Sequence, residues 1–147
     1  MNVSIITPTF NSAKTIQSNL DSIKSQSFKD YQLIIIDNNS TDETVKIIKK
    51  NNIPNIKFII ESDLGIFDAI NKGIGISDND LISVLHSDDL YDNENVLKDV
   101  VETFHEHKDS DIIYGDLKYV KKNNLDITLR YWKPGHYNKG LFFKGWH

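Results

Sequence analysis

The sequence predicts an α/β fold: a mainly parallel central sheet with helices on both faces. Two observations carry this. Short, continuously apolar, β-branched runs recur along the chain, where a half-exposed antiparallel strand would alternate apolar with polar residues. Between them lie stretches with apolar residues at spacings of three and four, the period of a helix. A third observation bears on function: several of the apolar runs end abruptly in clusters of Thr, Asn, Ser and Asp.

The elements follow in order along the chain. Val3 to Ile6 is a first strand, ending at Thr7-Pro8. Asn11 or Ser12 can cap a helix carrying Ile16, Leu20 and Ile23 on one face. Leu33 to Ile36 is a second strand ending at Asp37. Ser40 or Thr41 can cap the next helix, marked by Val45, Ile47 and Ile48. Ile56 to Ile60 is a third strand, and Ile66, Ile70 and Ile74 mark a third helix. Leu81 to Leu85 is a fourth strand. Val96, Leu97, Val100, Val101 and Phe104 form the cleanest helical stripe. Ile112 to Tyr114 reads as a fifth strand, and "LKYVKKNNLDITLRYW" as a hairpin around Asn123-Asn124.

Composition narrows the function classes. The length of 147 residues predicts one domain, spanning 1–147. A formal net charge of −4 argues against a general nucleic-acid binder. Cysteine is absent, which excludes disulfides and thiolate metal sites. The N-terminus lacks the features of a signal peptide, and no apolar stretch is long enough to span a membrane. The expected location is the cytoplasm.

In a parallel α/β sheet, ligands bind beyond the carboxyl ends of the strands. The first, second and fourth strands end in "TPTFN", "DNNSTD" and "HSDD", so the three clusters are expected on one edge. None is a Gly-rich phosphate loop, which disfavours a dinucleotide site or a P-loop. Asp37 can be a turn residue or a carboxylate facing a base or ribose. Asn39, Ser40 and Asp42 can simply cap the following helix. Asp88 and Asp89 are adjacent like charges. They can form a solvated turn, or hold a hard divalent cation whose shell substrate phosphates complete. Lys72 can be a solvated charge or reach a diphosphate from the same edge. His86 reads as a packing or orienting residue, His105 and His107 as solvent-facing, and Asp92 as an ordinary residue before a helix.

Taken together, these segments resemble the family 2 glycosyltransferases of the GT-A fold. "VSIITPTFN" is similar to the family's first strand and nucleotide loop, and "YQLIIIDNNSTDET" to its second strand and aspartate loop. "SDLGIFDAINKGI" is similar to a helix segment found especially in bacterial polysaccharide and lipopolysaccharide transferases. "LISVLHSDDLY" resembles the strand bearing the DxD-type metal motif. The order and spacing agree from Met1 to about Tyr114.

The resemblance implies a site. Thr7, Pro8 and Thr9 would line the base and ribose pocket, and Asp37 would bind the base, usually uracil. Asn39 belongs to the same nucleotide loop. Lys72, with Asp68 and Asn71, would face the nucleotide-sugar. Ser87, Asp88 and Asp89 occupy the acidic motif, with Asp88 toward the ribose or sugar and Asp89 binding Mn²⁺ or Mg²⁺ on the diphosphate. The implied reaction is inverting transfer of a sugar from a nucleotide-diphospho-sugar, such as a UDP-sugar, to a polysaccharide, lipopolysaccharide or lipid-linked acceptor.

Two positions depart from the commonest family pattern: Asn38 stands where many members have a second Asp, and Ser87 where a first Asp can stand. Family members typically continue past this length into an acceptor-binding half that supplies the catalytic base. The chain is therefore expected to be C-terminally truncated, with the base beyond His147. Within the chain, Asp116, after the expected fifth strand, is the local candidate.

Two other readings compete: an inactive nucleotide-binding fragment lacking the base, and a receiver-like signalling domain. The second places its acidic pair after the first strand, whereas here the pair follows the fourth. The aromatic and basic tail (Lys133, Tyr137, Lys139, Phe142, Phe143, Lys144, Trp146) is expected to be apolar surface that packs against further sequence and, left exposed, favours self-association as a homodimer; the alternative is peripheral contact with a lipid-linked acceptor at the inner face of a membrane.

Overall fold

The computed structural model describes residues 1–137. The chain divides into two compact units, Met1–Glu106 and His107–His147. The tail residues Lys139, Phe142, Phe143, Lys144, Trp146 and His147 lie outside the described residues.

The first unit is built on four parallel strands: β1 (Val3–Thr9), β2 (Tyr31–Asp37), β3 (Ile56–Ile60) and β4 (Leu81–Val84). Their order across the sheet is β3-β2-β1-β4. Four helices accompany them: α1 (Ile16–Lys24), α2 (Thr44–Lys50), α3 (Ile66–Gly75) and α4 (Val96–Glu106). β1 and β2 run in register from Val3↔Tyr31 to Thr9↔Asp37. Both are buried along almost their whole length, as their unbroken apolar character requires.

Successive strand residues point to opposite faces. Val3, Ile5, Leu33 and Ile35 pack against Ile16, Leu20 and Ile23 of α1, Ile48 of α2, and Leu97 and Val101 of α4. Ile6, Ile34 and Ile36 face the other way, onto Ala69 of α3. Three helices therefore cover one face and one covers the other.

The apolar stripe expected on α3 is not the face that it buries. Ile66 and Ile74 are exposed, while Ala69 and Gly73 are buried. Small residues let α3 lie close to the sheet: a Cβ on Gly73 would come within 2.5 Å of the Ile6 side chain. Periodicity found the helix but not its buried side, because close approach favours small residues over large ones at the contact.

The helix caps also differ from expectation. Neither Asn11 nor Ser12 caps α1 with its side chain; that helix begins after Thr15 without a side-chain cap. Ser40 and Thr41 likewise do not cap α2, whose first residue, Thr44, donates its N–H to Asp42 at 3.0 Å. These polar side chains are used between loops instead.

The second unit contains an antiparallel hairpin of β5 (Leu117–Lys121) and β6 (Asn124–Trp132), as expected around Asn123-Asn124. The fifth strand expected at Ile112 to Tyr114 is not formed. Ile112 is 68% exposed and pairs with no strand among the described residues. Three apolar residues between Asp111 and Gly115 are too few to make a strand without a neighbour to pair with.

Candidate functional site

Parallel alignment puts the loops that follow all four strands of the first unit on one edge. Hydrogen bonds then stitch them together. From the loop after β1, Asn11 donates its N–H to Ser40 Oγ at 2.8 Å and accepts the Thr41 N–H at 2.9 Å. Asn11 adopts a φ of 48°, a left-handed conformation that Asn tolerates better than most residues. Ser12 donates its N–H to Thr44 Oγ1 at 2.7 Å, and its hydroxyl shares a 2.7 Å hydrogen bond with Ser87 from the loop after β4. Asp42 accepts the Ala13 N–H at 3.1 Å and the Thr44 hydroxyl, and the latter above all holds its pKa below the ordinary aspartate value. The clusters "TPTFN", "DNNSTD" and "HSDD" are thus linked by hydrogen bonds along one edge of the sheet.

Along this edge Thr7, Pro8 and Thr9 are all buried, because β1 continues three residues beyond the expected strand end. Thr7 Oγ1 has no hydrogen-bond partner among the described residues. Thr9 donates to Asp37 Oδ1 at 3.0 Å. Asp37 is fully buried and also accepts the Ser40 hydroxyl at 2.6 Å and the Ser40 N–H at 2.8 Å. Its carboxyl group ties the end of β1 to the turn after β2. Its neighbour Asn38 is half-buried and accepts the Asp63 N–H at 3.1 Å. Asn39, with φ 51°, donates to Ser62 Oγ at 3.0 Å. The loop after β3 is thereby joined to the same edge.

Lys72 lies on α3 with its ammonium 2.6 Å from the Ser62 carbonyl, 3.2 Å from Glu61 and 3.3 Å from Asp68. Desolvation works against the Lys72 charge, but the two carboxylates outweigh it and raise its pKa. Asp68 accepts the Leu64 N–H at 3.0 Å, and this bond, ahead of Lys72, lowers its pKa. Asn71 is exposed on the same helix.

The acidic pair is arranged differently. Asp88 and Asp89 are both exposed, and neither enters an ion pair among the described residues. Partial desolvation raises the Asp89 pKa, Asp88 beside it adds to the shift, and His86 opposes it. His86, next to the pair in sequence, is half-buried, and its Nδ1 is buried with no hydrogen-bond partner among the described residues. Tyr91 anchors the rest of the loop through a 2.9 Å hydrogen bond with Ser83; burial pushes its phenol up to about 12. No group of three or more His, Cys, Asp or Glu side chains able to hold a metal forms among the described residues. The donor set nevertheless fits Mg²⁺ or Mn²⁺, which bind through one or two carboxylates and take their remaining ligands from phosphate and water. An exposed carboxylate with a neighbouring like charge gains from a cation.

Asp116 is not at a strand's carboxyl end, because the fifth strand does not form. It precedes β5 in the second unit, where it accepts the Tyr131 hydroxyl at 2.5 Å. From sequence alone Asn11 and Ser12 have the composition of helix caps, and only their hydrogen bonds to Ser40, Thr41 and Ser87 show that they bridge loops of different strands.

Fold and site define an α/β domain that presents a polar, partly acidic surface at the carboxyl edge of a parallel sheet. Residues 4–147 match Glycosyl transferase family 2, and the chain belongs to that family. It is 38% identical over 120 residues to a PGL/p-HBAD biosynthesis glycosyltransferase of Mycobacterium bovis, covering 78% of this chain and 46% of the relative. It is 34% identical over 118 residues to the poly(ribitol-phosphate) beta-N-acetylglucosaminyltransferase TarP of Staphylococcus aureus, covering 77% of this chain and 36% of TarP. Among solved structures, S. aureus TarS 1–349 in complex with UDP-GlcNAc aligns with a TM-score of 0.69 and 30% identity, covering 74% of this chain and 32% of that one. A mannosyltransferase from Pyrobaculum calidifontis shares the fold, with a TM-score of 0.66 at 23% identity, covering 82% of this chain and 35% of that one. The GT-A architecture expected from the sequence is thus the one found. The chain spans less than half the length of each of these proteins.

Proposed function

We propose that this chain binds a nucleotide-diphospho-sugar, a UDP-sugar in the first instance, and serves as the donor half of an inverting glycosyltransferase. The observation that carries this reading is the edge itself. Four loops converge on it, and two carboxylates there are exposed and outside any ion pair among the described residues. Support also comes from the UDP-GlcNAc held by TarS, which is 30% identical to this chain.

In this reading Thr7, Pro8, Thr9, Asp37 and Asn39 form the base and ribose side of the pocket. Asp68, Asn71 and Lys72 face the donor, and Lys72 supplies positive charge toward the diphosphate. Ser87 and Asp88 address the ribose or sugar, and Asp89 holds Mn²⁺ or Mg²⁺. When bound, the cation acts as a Lewis acid that neutralises the diphosphate leaving group. An acceptor hydroxyl, from a glycan or a lipid-linked sugar, attacks the anomeric carbon from the opposite face as a base takes its proton. No residue of this chain is assigned as that base.

Calorimetric titration of UDP with and without Mn²⁺ tests the proposal. The expected result is binding that Mn²⁺ tightens, with the tightening lost in Asp89→Ala. Absence of binding, or equal binding by Asp89→Ala, would overturn it. A transfer assay on the same protein separates a donor-binding half from a complete enzyme.

A further inference from the structure

Helix α1 turns a fully buried amide toward the segment that carries the acidic pair. Asn19 donates from its single side-chain nitrogen to the His86 carbonyl at 2.9 Å and to the Asp89 carbonyl at 2.8 Å. The His86 carbonyl also accepts the Asp89 N–H at 3.0 Å, closing a tight turn over His86 to Asp89. One side chain therefore pins both ends of the turn that displays Asp88 and Asp89. Both N–H donors of the amide are used in doing so. Its Oδ1 is buried with no partner among the described residues, which carries a free-energy cost. Packing alone would favour an apolar residue at this place on α1, beside Leu20 and Ile23.

Gln26, just past the end of α1, does a parallel job elsewhere. Also fully buried, it donates to the Asn93 carbonyl at 2.7 Å and accepts the Leu97 N–H at 3.0 Å. It holds the far end of the loop and the start of α4, and it has no bond to the acidic turn.

We propose that Asn19 is a positioning residue: its two hydrogen bonds hold the His86–Asp89 turn in the shape that lets Asp89 bind a divalent cation on a diphosphate. This rests on the reading of Asp89 as the cation ligand. Adjacent carboxylates repel, and a turn fixed by its own backbone bond alone can relax to move them apart. Asn19 removes that freedom from behind, through the backbone carbonyls and with no hydrogen bond to either carboxylate, as outer partners of metal ligands do.

The test compares Asn19→Leu with Gln26→Leu. Each removes a buried amide, so each lowers stability, but only the first releases the acidic turn. In Asn19→Leu, the Mn²⁺-dependent gain in UDP affinity is expected to fall at least about tenfold, with metal-free UDP affinity held within about twofold. Gln26→Leu is expected to keep the gain. Hydrogen exchange at the Asp89 amide is expected to quicken in Asn19→Leu and not in Gln26→Leu. If Asn19→Leu does not fold, Asn19→Ala, which leaves room for water, takes its place. An undiminished metal gain in the Asn19 variant, an equal loss in Gln26→Leu, or unchanged exchange at Asp89 overturns the proposal. If the wild type shows no Mn²⁺-dependent gain, the cation reading fails by itself. The exchange measurement then decides the clamp: quicker exchange supports it and unchanged exchange rejects it.

Discussion

Asp37 and Asp89 belong to the same edge of the same sheet, yet their surroundings are opposite. Asp37 ends β2 fully buried, with both carboxyl oxygens engaged by Thr9 and Ser40. Asp89 sits in the loop after β4, exposed, with a like charge beside it and no ion pair among the described residues. Both read from sequence as acids at strand ends. The difference teaches that an acid at this edge can be held by the fold's own donors or left without them, and that its hydrogen-bond partners decide whether its loss is felt first in stability or in cation binding. Substitutions at the two positions should therefore act on different properties.

The largest effect is expected at Asp37. Replacement by Ala removes three hydrogen bonds at once and leaves the Thr9 hydroxyl and the Ser40 N–H buried or half-buried without that acceptor. Each such group costs about 1–3 kcal/mol, so Asp37→Ala should lose roughly 3 kcal/mol of stability. Denaturant unfolding checks this. A loss under about 0.5 kcal/mol, the range of ordinary surface substitutions, would break the contrast with Asp89.

That contrast also marks how far the sequence could be read. The parallel sheet was legible because β1 and β2 are buried on both faces and so carry continuous apolar runs. The shared edge followed, since parallel strands deliver all their carboxyl ends to one side. Partner identity was not legible. Asn11, Ser12, Ser40 and Thr41 have the composition of helix caps, and nothing local reveals that they bond across 29 to 75 positions of sequence. Asn19 was hidden for a related reason: a polar residue inside an apolar helical stripe looks like the helix's wet side until its partners, His86 and Asp89, are in place. The fifth strand failed because a three-residue apolar run specifies a strand only where another strand lies beside it.

A smaller effect, expected at Thr9, sharpens the same comparison. Thr9→Val keeps the shape and β propensity of the residue and deletes only the hydroxyl bonded to Asp37 at 3.0 Å. The loss should be about 1–2 kcal/mol, close to the value of a hydrogen bond to a charged group. In an Asp37→Ala background Thr9→Val should cost much less, because its partner has already gone. A double-mutant cycle measures the coupling. Additive losses would mean that Asp37 is held by something other than this bond.

The smallest effect is expected at Asp89, and it has the reverse sign. Its folded-state pKa is raised, first by desolvation and then by Asp88, against the opposing pull of His86. Between the ordinary aspartate value and the raised one, the folded protein holds more protons than the unfolded chain. Stability contributed at this position therefore falls as pH rises through that window, and above it the ionised group is a standing cost. Asp42 and Asp68 titrate with lowered pKa values, so their contributions are present above the ordinary value and lost as pH falls. Comparing wild type with Asp89→Asn cancels those two. Because Asp89 is exposed and screened, the variant should be more stable by only a few tenths of a kcal/mol at pH 7 without metal. The gap should close as pH drops toward the ordinary aspartate range, where the wild-type carboxyl is protonated as well. Thermal unfolding of both proteins across pH 4 to 7 in chelator reads this directly. A less stable Asp89→Asn at pH 7 would mean that the ionised carboxylate makes a favourable contact inside the fold, and Asp89 would then be an acid of the same kind as Asp37.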